Sequence, residues 1–314
     1  NRYDINPEHL SLGSPLVCQD DGRIFAYSWD DRPYAAWDDG VYLAEVWAAS
    51  QQTHTGFNEP SVYFGFEGGI VISVGRGGTM VAFDDFEYVL WEVPIPGCTD
   101  MIPTIDPDSG NVYVAVGTDH IYVVGVDIYG YPLWDAAHVH DFTPVTQPER
   151  AVGTGCLGFD GATYYFQTVA EDGSGKLYAI NTSDGSLKWT YDTQSRGWED
   201  HWACPIVTQN NVIIVGNNDN DTYFAIEDQG QDNPVLLDTL TIDESGSARN
   251  SATLSSDGLL YLPMRISWTA GNDNGQSPDY TVQNLFCALD LTEDAQAILY
   301  SPGKQRAITG NGSV

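Results

Sequence analysis

Apolar and polar positions along this 314-residue chain fall into short runs rather than long stripes. Runs of about five residues, rich in Val, Ile, Tyr and Phe, are separated by Asp-Gly, Gly-Gly or Asn-Asn pairs. Such pairs tolerate the positive φ angles of tight hairpin turns, so the pattern predicts antiparallel strands and no long amphipathic helix. The clearest stretch runs from Cys156–Phe159 through Asp160-Gly161 to Thr163–Gln167. It continues with Lys176–Ile180, the turn Ser183–Gly185 and Ser186–Trp189. Four strands in sequence order, each joined to the next by a short turn, are predicted there.

The same order recurs along the chain. A tryptophan closes a short triplet at Trp47, Trp91, Trp134 and Trp189, with spacings of 44, 43 and 55 residues. Pro234–Leu237 and Ala297–Tyr300 continue the series with the indole replaced. Strand–turn–strand openings repeat at Ser14–Tyr27, Pro205–Val215 and Ser251–Leu262. Six units of roughly 40–60 residues predict an all-β fold, a β-propeller of four-stranded antiparallel blades. A jelly roll would not repeat its tryptophan in this way.

The blades are placed at about residues 12–50, 60–97, 100–140, 150–195, 200–242 and 248–302 of one domain spanning 1–314. Residues 303–314 read as the start of a further blade or a closing strand, because Gly312-Ser313 is similar to Gly13-Ser14. The expectation is a longer protein with seven or eight blades. An indole buries roughly 150–250 Å², so Trp47, Trp91, Trp134 and Trp189 are expected to pack between neighbouring blades as structural residues.

Gly175–Asn181 followed by Asp184–Trp189 resembles the PQQ repeat of the quinoprotein-alcohol-dehydrogenase-like propellers: a Gly, an apolar-Tyr-Ala-apolar strand, a turn ending in Gly, and a closing Trp. Thr222–Ile226, Leu285–Asp290 and Thr79–Asp84 keep the third strand of that pattern. For enzymatic members the resemblance implies pyrroloquinoline quinone, a calcium ion, an Asp base and, in many, a disulfide between adjacent cysteines. Cys18, Cys98, Cys156, Cys204 and Cys287 contain no adjacent pair and no haem-attachment motif, so quinone as cofactor is disfavoured. The family also includes the propeller lipoprotein of the outer-membrane assembly machinery, a scaffold without an active site. The non-enzymatic branch is the one resembled.

Charge narrows the partners. Twelve Lys and Arg face 44 Asp and Glu, a formal net charge of −32. Such a surface repels phosphate, which excludes nucleic acid and anionic lipid as partners. No apolar run is long enough for a transmembrane segment. Asp predominates over Glu, and its short carboxylate suits hard cations, so calcium is the expected ion. These features fit an extracellular, cell-surface or periplasmic location. The odd cysteine count leaves at least one thiol outside any disulfide within the chain.

Candidate sites are few. Asn217, Asp219 and Asp221, with Asp273 and Asp279 one unit later, supply oxygen ligands of the kind calcium takes. The competing reading is a polar hairpin whose Asx side chains bond their own backbone. Asp106–Gly110 is read as a turn. His138 and His140 alternate about Val139 and are read as solvated, the alternative being a metal pair. Trp198, Glu199, His201 and Trp202, in the loop entering the fifth unit, form the candidate binding patch. No GxSxG, GxxxxGK or HExxH occurs. The functional expectation is a non-catalytic scaffold binding a protein or glycan, or a second copy of itself, through inter-blade loops. The alternative is a secreted polysaccharide lyase or hydrolase, or a quinone-dependent dehydrogenase.

Overall fold

A computed structural model describes the strands between Leu16 and Thr309 and, with side chains, most of residues 70–239. All described regular structure is β. Each sheet contains a four-strand meander of strands consecutive in the chain. The first holds Leu16–Val17, Arg23–Tyr27, Pro33–Asp38 and Leu43–Ala48, and the second Ser61–Tyr63, Ile70–Gly75, Thr79–Asp84 and Val89–Pro94. The third holds Thr104–Ile105, Val112–Gly117, His120–Val126 and Val139–Pro144. The fourth comprises Glu149–Leu157, Thr163–Ala170, Gly175–Asn181 and Leu187–Ser195, with Asp100–Ile102 as a fifth strand beside Glu149–Leu157. The fifth holds Ile206–Val207, Val212–Asn217, Thr222–Glu227 and Val235–Thr241, and the sixth Thr253–Leu254, Leu259–Arg265, Asn284–Asp290 and Arg306–Thr309.

Burial explains the sequence pattern. Thr163–Ala170 and Val212–Asn217 are buried at every position, because both faces of these inner strands are covered. Their sequences are accordingly near-continuous apolar runs. The outer Leu187–Ser195 alternates between exposed and buried positions, as a half-covered strand does.

Two closing strands differ from the expectation. In the third sheet, Pro132 makes only an isolated bridge to Val126, and the strand pairing with His120–Val126 is Val139–Pro144. Proline cannot donate to a ladder, so only that single bridge forms there. His140 therefore lies in a strand opposite Val123, whereas His138 lies outside the described residues. In the sixth sheet the partner of Asn284–Asp290 is Arg306–Thr309, beyond Ala297–Tyr300. Asp106–Gly110 forms the expected turn: Gly110 N donates to Asp106 O at 2.8 Å, and Asp108 N to Asp106 Oδ1 at 3.0 Å.

The chain divides into two compact units, residues 1–151 with 182–186, and residues 152–181 with 187–314. Each contains its own seams between consecutive sheets.

Candidate functional site

A register irregularity sits at the same point of four sheets. Trp47 pairs opposite Ala35 and Glu45 opposite Ala36, so Val46 is skipped. Trp91 opposes Ala82 and Val89 opposes Phe83, skipping Leu90. Trp189 opposes Ala179 and Leu187 opposes Ile180, skipping Lys188. In the fifth sheet Asp238 occupies the tryptophan position, opposite Ala225, and Leu237 is skipped. The residue before the closing position is thus a β-bulge, which re-aims its side chain and that of its neighbour. The Trp47 side chain lies outside the described residues.

In the first unit the indoles cross to the next turn. Trp91 Nε1 donates to Ile128 O at 2.8 Å, and its ring packs on Gly130. Gly130 has φ +83°, and a Cβ there would lie 2.8 Å from Trp91 Cγ, so backbone conformation and space both require glycine. Trp134 Nε1 donates to Thr182 O at 3.1 Å, and its ring covers Gly125, where any Cβ would overlap it. Tyr113 packs on Trp134 at 6.1 Å between centroids. Burial raises the Tyr113 phenol above its ordinary pKa, opposed by hydrogen bonds with Asn111 and Thr182.

In the second unit the equivalent positions carry a buried ionic cluster. Trp189 packs on Tyr165 at 5.7 Å, in a core with Leu177, Ala179, Ile213, Val215 and Ile226. The bulge directs Lys188 toward the fifth sheet, where Nζ meets Asp228 Oδ2 at 2.7 Å, while Nζ also donates to Thr163 Oγ1 of its own sheet at 3.1 Å. Tyr165 Oη donates to the same Asp228 oxygen at 2.6 Å, and Gly230 N donates to Oδ1 at 2.9 Å. The Asp228 side chain is only 3% exposed. Burial works to raise its pKa, but hydrogen bonds from Lys188, Tyr165 and Gly230, with the Lys188 charge, bring it below the usual carboxylate value. Burial first, and then the Asp228 carboxylate, pushes the Tyr165 phenol far up. Trp189 Nε1 is buried without a hydrogen-bond partner.

This cluster is saturated. Both Asp228 oxygens are occupied, and the phenol is held neutral, so no base or nucleophile is presented to a substrate. Its chemistry is that of a clasp between sheets.

A second polar group lies at the ends of strands in the same unit. Gln167 Nε2 donates to Ser195 Oγ at 2.5 Å and Gly216 O at 2.8 Å, and Thr193 Oγ1 to Gly175 O at 3.0 Å. Asn217 belongs here: it is buried and its Nδ2 donates to Thr193 O at 2.5 Å. Asp219, Asp221, Asp273 and Asp279 lie outside the described residues, as do Trp198, Glu199, His201 and Trp202. Among the described residues no three His, Cys, Asp or Glu converge as a metal site.

Cys204 Sγ accepts from Thr154 N at 3.1 Å. Burial, then the neighbouring Cys204, pushes the Cys156 thiol far above its ordinary pKa, so it is held protonated. Sequence reasoning missed the Tyr165–Lys188–Asp228 cluster. Its only signal is a lysine inside the closing triplet of one unit.

Residues 120–233 match the family described as outer membrane protein assembly factor BamB. Among solved structures, the quinohemoprotein alcohol dehydrogenase of Comamonas testosteroni is similar at TM-score 0.60 and 13% identity, over 89% of this chain and 59% of that one. The quinohemoprotein alcohol dehydrogenase ADHIIG of Pseudomonas putida HK5 is similar at 0.58 and 13%, over 89% and 53%. A chain of the mitotic checkpoint complex is similar at 0.59 and 9%, over 82% and 72%. This chain thus spans little more than half the length of the two dehydrogenases. No curated protein matches the sequence. The chain has an all-β fold of four-stranded antiparallel sheets like those of these propellers, and residues 120–233 carry the PQQ-type repeat; likeness at such identities concerns the fold alone.

Proposed function

We propose that this chain is a non-catalytic propeller scaffold that binds a protein partner through the turns and loops joining its strands, in a periplasmic, cell-surface or extracellular setting. The match of residues 120–233 to an outer membrane protein assembly factor carries this reading. It is supported by the seam of the fourth and fifth sheets, in which the ionisable groups of Tyr165, Lys188 and Asp228 satisfy one another. Calcium belongs to the proposal as the cation that bridges acidic surfaces in contact with a partner. The test is cross-linking of the protein in its native host, with mass spectrometry of the joined residues, beside an alcohol-oxidation assay with added pyrroloquinoline quinone and calcium. Cross-links to one polypeptide and no turnover are expected. Quinone-dependent turnover, or no joined polypeptide, would overturn the proposal.

A further inference from the structure

Large apolar side chains are exposed in a group at the seam of the second and third sheets. Tyr88 is 70% exposed, Leu90 48%, Tyr129 62% and Tyr131 68%. They are brought together by the tryptophan dock. Tyr129 and Tyr131 flank Gly130, the residue on which Trp91 packs, while Leu90 is the bulge residue before Trp91 and Tyr88 immediately precedes the strand Val89–Pro94. The turn is rigid: Asp127 Oδ1 accepts from Tyr129 N at 2.9 Å and from Tyr131 N at 2.8 Å. Tyr88 N is likewise held by Asp84 Oδ1 at 2.8 Å. Single exposed apolar residues need no explanation, but three tyrosines and a leucine on one preorganised ledge have the composition of a binding hot spot.

Charge specifies the occupant. Residues 77–149, which supply this whole ledge, contain twelve Asp and Glu and neither Lys nor Arg. Glu92, two residues beyond Leu90, is exposed. An acidic segment is repelled from such a surface, whereas Arg and Lys gain both the field and the faces of exposed tyrosine rings. We infer that the Tyr88–Leu90–Tyr129–Tyr131 ledge is a docking surface for a polypeptide segment that alternates basic and apolar side chains. The inference rests on the scaffold reading and gives it a surface and a partner chemistry.

The test uses the full chain and a fluorescein-labelled dodecapeptide of alternating arginine and leucine, read by anisotropy, with its glutamate–leucine counterpart and dodeca-lysine as comparisons. Tyr129→Ser with Tyr131→Ser is expected to weaken arginine–leucine binding by about tenfold or more, with melting unchanged. Phe159→Ser, which removes another 70% exposed aromatic, is expected to leave binding unchanged. Equal binding by the double variant, equal binding of the glutamate–leucine or lysine peptide, or no binding of the arginine–leucine peptide would each overturn the inference. Native cross-links that map elsewhere on the protein would overturn the ledge while leaving the scaffold reading intact.

Discussion

The seam of the second and third sheets and the seam of the fourth and fifth use the same three positions for opposite chemistry. In the former they are Ile72, paired opposite Ala82, the bulge residue Leu90, and Ile128, whose carbonyl receives the Trp91 indole. In the latter they are Tyr165, Lys188 and Asp228, and the Trp189 indole has no acceptor. Tyr113, Leu133 and Thr182 stand between the two, with a phenol and a hydroxyl but no charge. One backbone device therefore accepts an apolar, a polar or an ionic filling. The tryptophan and its small partner define the seam, and the other positions adjust how strongly and how specifically it closes.

The largest expected effect separates the two fillings. Lys188→Ala leaves the buried Asp228 carboxylate uncompensated and should cost about 3 kcal/mol in urea unfolding, more than Leu90→Ala, whose side chain is half exposed. A cost no greater than that of Leu90→Ala would show that the ion pair is incidental. Acid should act on the same cluster. Asp228 titrates lower when folded than when unfolded, so its contribution is full above the ordinary carboxylate pKa of about 3.9 and drains as pH falls through the folded value. Tyr165 titrates higher when folded, so its contribution fades as pH rises past about 10. Unfolding midpoints across pH, compared with those of the variant below, check both limbs.

Gly125→Ala should cost about 2 kcal/mol, because the added methyl meets the Trp134 ring rather than a flexible chain end. Grafting the apolar filling into the ionic seam, as Tyr165→Ile with Lys188→Leu and Asp228→Ile, should change stability by only about 1 kcal/mol and flatten the pH dependence. A large loss would mean that the ion pair specifies the seam rather than merely filling it. The smallest contrast is between indoles. Trp91→Phe loses a hydrogen bond to Ile128 O, worth about 1 kcal/mol, whereas Trp189→Phe removes a buried N–H that has no acceptor. Equal costs in thermal unfolding would erase the distinction.

Much of the fold was legible from period and turn chemistry. Three of the four strands read between Cys156 and Trp189 were legible because each is bounded by a turn that demands glycine or Asx, whereas the first is not Cys156–Phe159 but Glu149–Leu157, most of it before Cys156. The third and sixth closing strands were not. Trp134 marked the seam, but Pro132 stops the ladder there, and neither Val139–Pro144 nor Arg306–Thr309 carries a local signal that sets its partner. The clasp was illegible for a related reason. Lys188 and Asp228 are 40 residues apart, and 44 acids offer no means of choosing one.

By itself the sequence determined the class of fold and the four-stranded unit, since these follow from periodicity and turn residues, all of them local. Only tertiary structure decided which side chains meet across a seam, that Lys188 is a bulge residue aimed at Asp228, and that Tyr88, Leu90, Tyr129 and Tyr131 are left exposed. Contacts between sheets depend on register and bulge placement, and a shift of one residue reverses every side chain.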